Sequence, residues 1–66
     1  MKNRLAEIRK QNEISQDELA EVLKVSRQTI SSIENGRYNP SITLAFRISH
    51  FFKMEIKEIF IYEGED

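Results

Sequence analysis

The sequence predicts an all-α domain of four or five short helices with almost no room between them, and three observations predict it. Apolar residues recur at helical spacing in short blocks, as in Leu44, Ala45, Ile48, Phe51 and Phe52. A serine stands at the head of three blocks (Ser15, Ser26 and Ser41), where its hydroxyl can accept from one of the backbone amides that every helix start leaves unpaired. Residues that stop helices fall between the blocks, Gly36 and Pro40 among them. At 66 residues the chain makes one domain, residues 1–66, with no repeat, low-complexity tract or linker.

The first helix is expected from about Asn3, a suitable N-cap, to about Gln11, burying Leu5 and Ile8. Asn12 and Glu13 then turn the chain, with Ile14 as an anchor. The second helix, about residues 16–23, opens on a capping box: Ser15 is followed three residues later by Glu18, and Asp17 adds negative charge where the helix dipole favours it. Its apolar stripe is Leu19, Ala20 and Leu23. Lys24 and Val25 form a tight corner, and Ser26 caps a third helix over about residues 27–35. So short a connection forces the two helices to cross steeply. Gly36 supplies the left-handed conformation that ends the third helix, and Pro40 keeps Asn39 out of helical geometry. Ser41 caps the fourth helix. Met54, Ile56, Ile59 and Phe60 outline a short fifth one, after which the strand-forming side chains of "FIYE" favour a short β segment at Ile61 and Tyr62.

A chain this short buries a small share of its surface, so it lies near the stability threshold. It has no cysteine for a disulfide, and one histidine without cysteine partners makes no structural zinc site. Association with a second copy is the remaining support. Eight large apolar residues fall within positions 51–62, more than one side of such a core readily covers. We therefore assign residues 53–66 to dimerisation, with Phe52, Met54, Ile59, Phe60, Ile61 and Tyr62 at a twofold interface; the alternative is that the cluster closes the chain's own core. No apolar run reaches the roughly 20 residues of a membrane span, and no signal-peptide pattern opens the chain, so a cytoplasmic location is expected.

The net charge of −1 hides an uneven distribution. Between Lys24 and Arg47 stand Lys24, Arg27, Arg37 and Arg47 against Glu34 alone; between Lys53 and Asp66 stand Lys53 and Lys57 against Glu55, Glu58, Glu63, Glu65 and Asp66. A phosphate backbone is attracted to the first stretch and repelled by the second.

The third helix carries the chemistry. With Ile30 and Ile33 inward, a wheel at about 100° per residue turns Gln28, Ser31, Ser32 and Asn35 outward, and Arg27 flanks them. Serines are poor helix formers, so two in succession call for a reason. None of the outward groups is acidic, and all hydrogen-bond. An amide pairs two-pronged with adenine, an arginine with guanine, and small hydroxyls let a helix approach base edges in the DNA major groove. The bland alternative is a tolerated polar surface. Two capped helices across a short turn, with a polar outer face and a basic loop after it, make a helix-turn-helix.

The stretch "ISQDELAEVLKVSRQTISSIENGRYNPS" resembles the signature of the Cro and phage-repressor family of helix-turn-helix regulators, also called the xenobiotic-response-element family. The resemblance spans about residues 3–60, and Gln16, Leu19, Ala20, Val25, Ile30, Ile33, Glu34, Asn35 and Gly36 all match the pattern. "VSRQTI" and "YNPS" are similar to short stand-alone regulators of the cytolysin-repressor type, which end in a brief dimerisation element. The resemblance implies a compact five-helix lambda-repressor-like fold that binds double-stranded DNA. It implies base reading by Arg27, Gln28 and Ser32, with Thr29 and Ser31 between bases and backbone. It implies phosphate binding by Gln16, Asn35, Arg37, Tyr38 and Asn39, and a structural ion pair of Arg9 with Glu34. Where the family often has a long side chain, Ser32 is short, which shifts specificity toward Arg27, Gln28 or DNA shape.

An enzyme is not expected. His50 has no catalytic partners at suitable spacing, Asp17, Glu18 and Glu21 read as helix-start and solvated-face acids, and the two glycines form no phosphate loop. No cofactor, metal, small-molecule ligand or membrane partner is expected. Rival readings are an antitoxin-type module, disfavoured by the lack of a long toxin-wrapping extension, and a protein-interaction domain, disfavoured by the acid-free face.

Overall fold

A computed structural model describes residues 1–62. The elements run β1 (Lys2–Asn3), α1 (Leu5–Gln11), α2 (Gln16–Leu23), α3 (Arg27–Glu34), α4 (Ile42–Phe52), α5 (Ile56–Ile59) and β2 (Phe60–Ile61). Five helices surround a core in which Leu5, Ile8, Leu19, Ile30, Ile33, Ile48 and Ile59 are fully buried.

The helix starts follow their capping chemistry. Ser15 Oγ accepts from Glu18 N at 3.0 Å while Glu18 Oε1 accepts from Ser15 N at 2.7 Å. Ser26 Oγ accepts from Thr29 N at 3.0 Å, and Ser41 Oγ from Leu44 N at 3.1 Å. Between α2 and α3, Lys24 adopts the left-handed conformation (φ 59°) uncommon for a residue with a side chain. The chain thereby passes from α2 to α3 within three residues, and Val25 packs its side chain against the core.

The first helix starts differently from expectation. Its N-cap residue is Arg4, because Asn3 is drawn into an extended strand. The Asn3 side chain still accepts from Leu5 N at 3.0 Å, so the amide of the first helical residue is satisfied from one position further back. Strands β1 and β2 pair antiparallel, with Lys2 opposite Ile61 and Asn3 opposite Phe60. The β segment therefore lies at Phe60–Ile61 rather than at Ile61 and Tyr62, and it has a partner at the chain's start.

The apolar face of α4 is also narrower than its spacing implies. Leu44 and Ile48 are buried and Ala45 and Phe52 pack partly on the core, but Phe51 stays exposed, its ring edge-to-face with Phe52 at 4.9 Å between centroids. Lys53 turns left-handed (φ 56°) and ends the helix before Phe51 is covered. Ile42 and Phe46 are exposed at 76% and 58%. Among the described residues no helix is long and apolar enough to cross a membrane, and no group of three or more His, Cys, Asp or Glu side chains is placed to hold a metal.

Candidate nucleic-acid interface

α3 packs on α2 through Ile30 and Ile33, which leaves its opposite side to solvent. Arg27, Gln28 and Asn35 are exposed there, and Thr29, Ser31 and Ser32 are half-buried. The Thr29 hydroxyl lies 2.9 Å from Ser26 Oγ, so it belongs first to the cap of its own helix. Ser26, Gln28, Thr29, Ser32 and Tyr38 line one shallow notch, which brings the loop tyrosine beside the start of α3.

The loop after α3 folds back on that helix. Gly36 sits at φ 83°, its amide donating to Ile33 O at 3.0 Å, and the Arg37 and Tyr38 amides both donate to Ser32 O, at 3.0 and 3.2 Å. Asn35 Oδ1 accepts from Arg37 N at 3.1 Å, making a local side-chain turn. These bonds fix the backbone while Asn35, Arg37, Tyr38 and Asn39 all remain exposed along one edge of α3. Beneath the loop, Asn3 Nδ2 donates to Ile33 O at 2.8 Å and so ties the end of α3 to β1.

Glu34 is the one acid on α3, and it does not face outward with the rest. Arg9 Nε lies 2.6 Å from Glu34 Oε2 and Arg9 Nη2 lies 3.3 Å from Oε1, a two-pronged pair whose side chains are 10% and 8% exposed. Arg9 Nη1 also donates to Ile14 O at 2.9 Å, which fastens the turn between α1 and α2. The pair removes negative charge from the outer face and joins α1 to α3.

Gln16, expected at a phosphate, also has partners within the chain. It is half-buried, its Nε2 donates to Glu34 Oε1 at 2.9 Å, and its Oε1 accepts from Arg27 Nε at 3.4 Å. The side chain thus bridges the buried ion pair to the first residue of α3. Asp17, read from sequence only as a helix-start acid, lies 3.7 Å from Arg27 Nε through its Oδ1. No local pattern marks either contact, because each partner comes from another helix. Arg47, counted in the basic middle of the sequence, donates from Nη2 to Leu23 O and stabilises the end of α2.

The six residues assigned to a partner face divide. Ile59 and Phe60 are buried within the chain's own core, Phe52 and Met54 are half-buried against it, and Ile61 and Tyr62 are exposed, Tyr62 at 74%. Ile59 is sealed because α5 lies against α4 and its last carbonyl, Ile59 O, accepts from Arg4 N at 2.8 Å. Phe46, which the sequence pattern did not single out, borders an apolar groove with Met1, Ile56, Phe60 and Tyr62. The acids at positions 63, 65 and 66 lie outside the described residues.

A family model described as helix-turn-helix matches residues 5–59. An uncharacterized HTH-type transcriptional regulator of Methanocaldococcus jannaschii is 50% identical over 66 residues, covering all of both chains. Another from Archaeoglobus fulgidus is 41% identical, covering all of this chain and 93% of its own. Among solved structures, the restriction-modification controller protein C.AhdI from Aeromonas hydrophila is similar at a TM-score of 0.77 and 28% identity, over 86% of each chain.

Proposed function

Because the chain belongs to the helix-turn-helix family of DNA-binding transcriptional regulators, we propose that it acts as a dimeric repressor that occupies a palindromic operator through the major groove. The observation that carries this reading is the makeup of the α3 surface: exposed Arg27, Gln28 and Asn35 around two small serines, with the helix's one carboxylate clamped inward by Arg9. Such a surface can approach base edges without electrostatic opposition and offers paired donors and acceptors to them. Asn35, Arg37, Tyr38 and Asn39 then meet the phosphates at the groove's edge, which sets the register of α3 without reading sequence.

A single copy makes few contacts and binds weakly at moderate salt, whereas two linked copies roughly double the contacts. A twofold dimer built on the Ile61, Tyr62 and Phe46 side of the molecule sets two α3 helices about 34 Å apart, one turn of DNA. Selection of bound fragments from a random duplex pool tests the whole reading. The expected outcome is a palindromic consensus with half-sites one turn apart. A pool that never enriches overturns it and leaves a protein-interaction domain.

A further inference from the structure

Both contacts that the structure gives the Arg27 side chain fall on Nε: Gln16 Oε1 at 3.4 Å and Asp17 Oδ1 at 3.7 Å. The two terminal nitrogens make no hydrogen bond among the described residues, and the side chain is 67% exposed. An arginine can meet guanine O6 and N7 end-on with those two nitrogens, keeping Nε for a group of its own protein. Asp17 is itself 76% exposed at the start of α2, beside the edge where phosphates would lie. A carboxylate there repels DNA in general, so its presence asks for a compensating role.

We propose that Asp17 is a specificity-determining residue: it holds Arg27 by Nε in an end-on orientation, so that the remaining fork selects guanine in each half-site. The inference rests on the reading of α3 as the base-contacting helix. As an exposed pair, Asp17 and Arg27 contribute little to folding. Their value lies in restricting the arginine before DNA arrives, which removes part of the ordering cost otherwise met on binding. Gln16 contributes to the same hold at Nε, but it also bonds to the buried Arg9–Glu34 pair, so Asp17 is the position where the effect separates from stability.

The test compares Asp17→Asn, Asp17→Glu, Arg27→Ala and the Asp17→Asn/Arg27→Ala double variant of the full chain. Each is titrated with the duplex recovered by pool selection and with a random-sequence duplex. The account expects Asp17→Asn to weaken binding to the selected duplex roughly three- to tenfold, the size of one freed long side chain. Binding to the random duplex stays level or strengthens, because a negative charge beside phosphate is gone. Asp17→Glu restores most of the loss, and Asp17→Asn causes no further weakening once Arg27 is alanine. A change of the same sign on both duplexes overturns the inference, as does a weakening by Asp17→Asn that persists without Arg27. If Arg27→Ala itself leaves the selected duplex bound as before, the assignment of Arg27 to the bases fails instead.

Discussion

Gln16 Nε2 donates to Glu34 Oε1 at 2.9 Å, so the start of α2 is joined to the end of α3 through a carboxylate that Arg9 already holds. The bond joins residues eighteen positions apart and makes the orientation of α3 depend on a polar contact as well as on Ile30 and Ile33. Removing the carboxylate leaves Arg9 buried without its partner, and breaking such a pair costs about 3–5 kcal/mol. Glu34→Ala is therefore expected to lower the urea midpoint steeply. Replacing the two together, as Arg9→Met with Glu34→Leu, is expected to recover most of that loss, since two apolar chains leave no orphaned charge.

Gln28→Ala and Arg37→Ala separate base reading from phosphate binding. Gln28 sits on the outer face of α3 and Arg37 on the loop beyond it. Titrations should show Gln28→Ala costing about 1–3 kcal/mol on the selected duplex and little on a random one. Arg37→Ala should weaken both alike and flatten the dependence of log K on log salt by about one.

Asn3 performs two tasks across the fold, accepting from Leu5 N at 3.0 Å and donating to Ile33 O at 2.8 Å. Asn3→Ala loses a cap and one of the two donors on Ile33 O, leaving the Gly36 amide as the other, together about 1–3 kcal/mol. Thermal melting monitored by circular dichroism should register it. Hydrogen exchange should accelerate at the Gly36 and Arg37 amides, which close on the same end of α3.

The proposed twofold interface is tested at side chains that the core does not need. Deleting residues from position 60 onward would remove buried Phe60 and the whole of β2, so a resulting monomer could reflect unfolding. Phe46→Asp and Tyr62→Asp change exposed positions. Sedimentation equilibrium should give monomers with an unaltered helical spectrum, and dimers of undiminished stability in both variants would refute this placement of the interface.

The parts of the fold legible in the sequence are those with a local cause. Ser15 with Glu18, Ser26, Gly36 and Ser41 each act within a few residues, and they bracket α2, α3 and the start of α4. Two-residue β1 has no such signal: Lys2 and Asn3 are extended only because Phe60 and Ile61 return beside them. The same limit applies at the candidate site. Periodicity turns Gln28 and Asn35 outward, but nothing local to position 16 announces that its side chain meets Glu34, which only tertiary packing brings beside it. Asp17 was hidden for a related reason. Its place in the first turn of α2 is sufficient explanation by itself, so nothing in the local pattern points to Arg27. Apolar clustering near the C-terminus located a dense region but not its direction, since Ile59 faces inward and Tyr62 outward.

The claim on which the rest depends is that the outer side of α3 enters the major groove, and methylation interference on the selected duplex tests it most directly. Methyl groups at guanine N7 project into the major groove, and those at adenine N3 into the minor groove. The account predicts that N7 methylation at a guanine in each half-site blocks binding by the wild-type chain and no longer matters to Arg27→Ala. Binding indifferent to N7 methylation everywhere, but blocked by methylated adenine N3, would contradict it.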